Sequence, residues 1–298
     1  MSWRFCVIGY FARSSLVGFA LAISIVAEAQ PYAAGEAVVL PGTEIADWGQ
    51  VEKVDGHFGK PSANMTKVPA VLILHGSGGI DGRGAFYAKA LQDAGIATLE
   101  ITMFSPGARP RSGTKATMPF AAAALKWLAA QGEVDATRIG VMGLSWGGVM
   151  SVLMSSELTQ NALGKDVPKP IAFAPLYPTC SAIARIVKSR QSGFYGAETR
   201  MSSSPMLIQV GTKDDYEDDE HGCDALVASW PAVARERTTL HYYEGATHGF
   251  DTQGRPRQFN DEFAHGGRGG VVRMWPTPSD AAAARTAIVT FFVEQLKP

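Results

Sequence analysis

At 298 residues, 46% hydrophobic and 18% charged, the chain holds enough apolar material for one large domain or two small ones. A formal net charge of −1 with no basic block argues against nucleic acid as a partner. Heptads, repeats and low-complexity tracts are not evident.

The first thirty residues differ from the rest. Arg4 and Arg13 precede "SSLVGFALAISIVAEAQ", an apolar stretch that ends in Ala27-Glu28-Ala29. A basic start, a short apolar core and an A-x-A site are the parts of a secretory leader. Ser14–Ala27 is short for a bilayer span, which needs about 20 apolar residues. Cleavage after Ala29 is therefore expected, with residues 1–29 as signal peptide, 30–298 as a single domain, and no membrane span after processing. A retained anchor is the competing reading. Export to the periplasm or medium removes Cys6 and leaves Cys180 and Cys223 where disulfides persist.

From about Ala70 the pattern is regular. "AVLIL" (Ala70–Leu74) is a continuous apolar run, as expected for a strand buried on both faces. Ala85–Ala94 reads as a helix ended by Gly95, Ile96–Phe104 as a strand, and Pro119–Ala130 as an alanine-rich helix. Ile139–Gly143 is a third strand and Trp146–Ser156 a helix. Pro170–Tyr177 and Pro205–Gly211 are further strands. Cys223–Arg235 reads as a helix, Thr239–Gly245 as a strand, and Ser279–Gln295 as a closing helix. Upstream, "GQVEKVDGHFG" reads as a hairpin or edge pair. Strand–helix alternation of this kind predicts an α/β domain with a mostly parallel sheet.

Gly143-Leu144-Ser145-Trp146-Gly147 is G-x-S-x-G, placed after a predicted strand and before a predicted helix. That context marks a nucleophile elbow, in which Ser145 sits on a strained turn and small neighbours leave it room. The helix N-terminus and the Trp146 amide then face the place where negative charge develops. A serine needs a base, and the base needs an orienting carboxylate. In this architecture they follow in the order Ser, acid, His. "IQVGTKDD" presents Asp214 and Asp215 beyond one strand, and "YYEGATHGFD" presents His248 beyond the next. Asp214 is the expected acid, with Asp215 as the alternative. His241 falls within a strand, His57 before the main sheet, and His221 and His265 in loops, so they compete poorly. "LILHGSGGI" supplies a second oxyanion donor, the amide of Ser77 or of Gly78. The carboxylate-rich run Asp214–Glu220 lacks a calcium-loop pattern and reads as a solvated loop. His221 and Cys223 lack the further ligands a zinc site needs.

At "HGSGG", "GLSWGG", "GTKDD" and "GATHGFD" the chain resembles the α/β-hydrolase superfamily, and within it the dienelactone hydrolase-like branch. The resemblance covers roughly Ala70 to the C-terminus. It implies an α/β-hydrolase fold, a mostly parallel sheet with helices on both faces, and hydrolysis of a small carboxylic ester or lactone without a metal or organic cofactor. Dienelactone hydrolases proper use a cysteine nucleophile, whereas this chain has Ser145, so a dienelactone substrate does not follow. Two other readings share the fold: a serine peptidase of the prolyl-oligopeptidase kind, and a non-catalytic binding protein.

Pocket walls are expected from the loop after Phe104, which carries Arg109 and Arg111, and from the glycine-rich loop Asp251–Pro276 with Phe259, Phe263 and Trp275. Arg109 could pair with a substrate carboxylate, against the alternative of a solvated loop. Cys180 and Cys223 each follow one of two consecutive strands, which are expected to be neighbours. A disulfide between them is therefore predicted, with two buried free thiols as the alternative.

Overall fold

Among the residues it describes, Met1 and residues 33–61, 67–104 and 113–297, the computed structural model has ten strands, nine α-helices and one short 3-10 helix (Ala197–Arg200). The strands are β1 (Glu36–Ile45), β2 (Gly49–Gly59), β3 (Val68–Leu74), β4 (Ala97–Ile101), β5 (Val134–Leu144), β6 (Ala172–Leu176), β7 (Met206–Lys213), β8 (Thr238–Thr247), β9 (Arg257–Asp261) and β10 (Gly270–Met274). The helices are α1 (Arg83–Asp93), α2 (Gly113–Ala130), α3 (Trp146–Met154), α4 (Glu157–Ala162), α5 (Cys180–Lys188), α6 (Asp224–Ala228), α7 (Ala232–Arg235), α8 (Ala264–Gly267) and α9 (Pro278–Leu296).

β1 to β8 form one sheet in the order β1-β2-β4-β3-β5-β6-β7-β8. The six strands from β4 to β8 are parallel, and β1 and β2 are antiparallel additions at one edge. Helices cover both faces. α1 and α9 bury Tyr87, Leu91, Ile288 and Phe292 against Val71, Ile73 and Met142. α2, α3 and α5 bury Leu125, Met150 and Ile183 against Leu72, Val141 and Phe173 on the other face. Every residue of β3, β4 and β6 is buried; β3 and β6 accordingly read as unbroken apolar runs, while β4 carries Thr98 and Glu100 into the interior. This is the architecture that the resemblance implies.

Several predicted boundaries are corrected. "GQVEKVDGHFG" is a single strand, β2; its hairpin partner is the upstream β1, and β4 flanks it on the other side. α2 begins at Gly113 rather than Pro119, with Pro119 inside it, because Thr114, Thr117 and Met118 are buried ahead of the proline. The helix predicted over Cys223–Arg235 is two short ones, split where Pro231 cannot continue the first. The Asp251–Pro276 loop contains a two-stranded antiparallel hairpin, β9–β10. Residues 31–298 form one compact unit. The expected leader, 1–29, lies outside the described residues apart from Met1. Among the described residues, no helix is long and apolar enough to cross a membrane.

Candidate active site

The β5–α3 turn fixes the first group. Ser145 has φ 53° and ψ −111°, a conformation that costs a non-glycine residue about 1–3 kcal/mol. The surrounding backbone enforces it. Ser145 N–H donates to the Leu176 carbonyl at 3.0 Å, and Gly147 N–H donates to the His75 carbonyl at 3.1 Å. The glycines permit close approach: a methyl group on Gly143 would overlap the Gly147 carbonyl, and one on Gly147 would overlap the Leu74 carbonyl. The elbow is thus wedged between the ends of β3 and β6.

The next two groups stand beyond the carboxyl ends of β7 and β8. His248 follows β8 directly, and its ring Nε2 lies 2.8 Å from Ser145 Oγ. Its Nδ1 lies 2.8 Å from Asp214 Oδ2. A carboxylate can only accept, so Nδ1 donates to Asp214 and Nε2 is left to accept the serine hydroxyl. The other Asp214 oxygen accepts the Tyr216 N–H at 3.0 Å. Asp215 points elsewhere: it accepts from Arg273 N, Nε and Nη2 at 2.8, 2.9 and 2.6 Å. Burial pushes the Asp215 carboxyl up, but these bonds and the Arg273 charge outweigh it and hold it below its ordinary value.

Two tyrosine rings contact the imidazole edge-on, Tyr177 at 4.9 Å and Tyr216 at 4.5 Å between centroids. Tyr177 belongs to a buried polar network. Arg83 donates to Asp81 through Nε at 3.0 Å and Nη2 at 2.8 Å, and to Tyr177 Oη through Nη1 at 3.1 Å. Tyr177 and Tyr87 each donate to Asp251 at 2.7 Å. Burial and the Asp251 charge raise both phenols well above their ordinary value, although Arg83 opposes this at Tyr177, so both remain donors. The network ties the loop after β3 to the loop that carries His248.

The loop after β3 lies against the elbow. A methyl group on Gly76 would come within 3.5 Å of Ser145 Cβ. Among the described residues, the amides of Ser77 and Trp146 have no protein hydrogen-bond partner. Gly78 adjoins Ser77 on the same exposed turn. His75 anchors this loop. Its Nε2 accepts the Met103 N–H at 2.9 Å, and its Nδ1 donates to the Gly76 carbonyl at 2.6 Å. Burial lowers its pKa, which keeps the ring neutral in that role. Phe104 packs edge-on against His75 at 4.8 Å, while Arg109 and Arg111 lie outside the described residues.

Cys180, the first residue of α5, is bonded to Cys223 just beyond the loop that carries Asp214, with 5.1 Å between Cα atoms. Glu217 of that loop accepts the Ser181 N–H at 3.0 Å, at the start of α5. Burial pushes Glu217 up to about 7, with the neighbouring Asp214 charge adding to it. Among the described residues, no group of three His, Cys, Asp or Glu side chains could hold a metal ion. The anchoring roles of His75, Tyr177 and Tyr216 carry no local sequence signature. Each acts through a partner more than twenty residues away.

The model of the dienelactone hydrolase family matches residues 54–287, more than half of the chain. The chain belongs to that family. At family level the protein is a carboxylic ester hydrolase. No curated protein matches it. Among solved structures, this family member is similar to Est1E from Butyrivibrio proteoclasticus (16% identity, 88% of this chain and 99% of that one, TM-score 0.56). It is also similar to esterase 2 of Thermogutta terrifontis (17% identity, 88% and 96% covered, TM-score 0.61). A third is the dienelactone hydrolase-like promiscuous phosphotriesterase P91 from metagenomic libraries (18% identity, 87% and 98% covered, TM-score 0.57). At these identities the likeness shows the shared α/β-hydrolase fold.

Proposed function

We propose that this family member cleaves a small carboxylic ester or lactone through an acyl-enzyme on Ser145, with His248 as base and Asp214 as acid. The observation that carries the reading is the unbroken line from Asp214 through His248 to Ser145, with 2.8 Å at each junction. In the first half-reaction Ser145 Oγ bonds to the ester carbonyl carbon as its proton passes to His248 Nε2. The Trp146 and Ser77 amides receive the negative charge on the former carbonyl oxygen. The carbon–oxygen bond to the alcohol then breaks, and the alcohol leaves with the proton from His248. Water repeats the sequence on the acyl-enzyme and frees Ser145. Asp214 holds the imidazole in the tautomer with Nδ1 protonated and stabilises it when charged.

The comparisons support an ester as substrate: Est1E has been seen with ferulic acid bound, and the Thermogutta esterase phosphorylated by paraoxon. The proposal includes export, with cleavage after Ala29, on the strength of the basic and apolar leader. A fluorophosphonate probe tests the core of it. Wild type is expected to be labelled at Ser145 and to hydrolyse short-chain aryl esters but not peptides. Ser145→Ala and His248→Ala are expected to lose both labelling and turnover while keeping the wild-type circular dichroism spectrum. Near wild-type turnover in Ser145→Ala would overturn the nucleophile assignment.

A further inference from the structure

Tyr216 touches both partners of the His248–Asp214 pair. Its N–H donates to Asp214 Oδ1 at 3.0 Å, which leaves Oδ2 for the imidazole. Its ring meets the imidazole edge-on at 4.5 Å, and Tyr177 meets the same imidazole at 4.9 Å. The backbone bond orients the carboxylate, and the two rings restrict the tilt of the imidazole.

Tyr216 is in turn fixed by the β9–β10 hairpin. Its hydroxyl donates to Asp261 Oδ2 at 3.0 Å, at the end of β9. Its carbonyl accepts the Gly266 N–H at 3.1 Å and the Ser181 hydroxyl at 3.1 Å. Its ring packs with Phe259, Ala264, Val272 and Met274 in a small cluster separate from the two main cores. Val272 and Met274, the fully buried residues of the two strands, both lie in that cluster. A hairpin of two short strands is marginal alone, and here its docking partner is the acid loop.

We infer that Tyr216 is a positioning residue for the proposed reaction, and that the β9–β10 hairpin is the frame that holds it. The ring fixes the imidazole plane so that Nε2 meets Ser145 and Nδ1 meets Asp214 at once. This inference rests on the proposed triad. A misplacement on the order of 1 Å in such a line costs about 100-fold in rate, whereas substrate binding does not depend on it.

The test compares Tyr216→Phe, Tyr216→Leu and Tyr216→Ala on a short-chain aryl ester, with Ser145→Ala and His248→Ala alongside. Tyr216→Leu and Tyr216→Ala are expected to lose about 100-fold in kcat with little change in KM. Tyr216→Phe keeps the ring and the backbone bond and is expected to restore most of that kcat. Proton NMR gives an independent readout. The His248 Nδ1 proton should give a low-field resonance in wild type and Tyr216→Phe, broadened or lost in Tyr216→Leu. Leucine fills much of the ring's volume, so it serves where alanine fails to fold. Wild-type kcat and a sharp resonance in Tyr216→Leu would overturn the inference. So would a Tyr216→Phe variant as impaired as Tyr216→Leu, because the ring would then not be what holds His248. If Ser145→Ala and His248→Ala also stay active, the proposed triad itself has failed. If they are inactive while Tyr216→Leu behaves as wild type, only the positioning role has.

Discussion

Asp214 and Asp215 are neighbours in the chain, yet they serve different partners: Asp214 accepts from His248 Nδ1, and Asp215 accepts three bonds from Arg273. Their substitutions should therefore separate. Asp214→Asn is expected to lose about four orders of magnitude in kcat, the size of loss seen when an amide holds the wrong imidazole tautomer. Asp215→Asn should retain most of its activity and instead lose about 1–3 kcal/mol of folding stability, because a charged bond network to Arg273 is broken. Steady-state kinetics and urea unfolding on both variants check this. An inactive, fully stable Asp215→Asn would reverse the assignment.

The Cys180–Cys223 bond closes a segment with a sequence separation of 43 residues. For a loop of that size the chain-entropy argument gives about 4 kcal/mol, a figure that strain and residual structure reduce in practice. The bond also ties the start of α5 to the acid loop. The double variant Cys180→Ser, Cys223→Ser is expected to unfold at lower urea, by the equivalent of about 2–4 kcal/mol. Non-reducing peptide mapping of protein folded under oxidising conditions should recover the two cysteines in one linked pair. Recovery of both as free, alkylatable thiols would rule the bond out.

The parts of this molecule legible in the sequence are those set by local pattern. β3 and β6 read as unbroken apolar runs because helices cover both faces of them. Ser145 is findable because the glycines around it are demanded by carbonyls that approach too closely for a side chain. α5 escapes a sequence reading, although Cys180, Ile183 and Val187 make a buried stripe along it, because three buried positions in nine residues make a short signal. The β9–β10 hairpin reads as loop for a different reason. Each strand is five residues long, and Val272 and Met274 are their only fully buried apolar residues among the described ones, so neither strand carries a long alternating pattern. Position in the loop favours Asp214 over Asp215 as the acid, but the partner of Asp215 is not legible, since Arg273 reaches it only after the hairpin has folded back.

At the elbow, Gly147→Ala places a methyl group on the Leu74 carbonyl, a backbone atom that cannot swing aside. Overpacking of this kind costs about 1–3 kcal/mol. Relief by moving the start of α3 would displace Ser145 and the Trp146 amide together. The expected outcome is a lowered unfolding midpoint together with a loss of kcat. A variant with wild-type stability and activity would show that the close approach is not required.

Glu100 on β4 gives a pH dependence with a definite sign. It is 1% exposed, and neither carboxyl oxygen has a hydrogen-bond partner among the described residues. Burial raises it from 4.5 to about 8, with the Asp81 charge adding and the Arg83 charge opposing. A carboxyl raised in the folded state is neutral there at pH values where the unfolded chain already ionises. Its contribution is therefore fully present below about pH 4.5 and is lost as pH rises through about 8. Holding the carboxyl neutral for each pH step of one across this window costs about 1.4 kcal/mol, so the whole loss is on the order of several kcal/mol. Glu100→Gln removes the titration while nearly preserving shape. Glu217 is raised in the same direction but is present in both proteins, so it cancels in the comparison. Thermal unfolding from pH 5 to 9 should show the Tm of Glu100→Gln gaining on wild type steadily up to about pH 8, then running parallel to it. Parallel Tm curves over the whole range would mean that Glu100 already ionises in the folded protein at its ordinary pH.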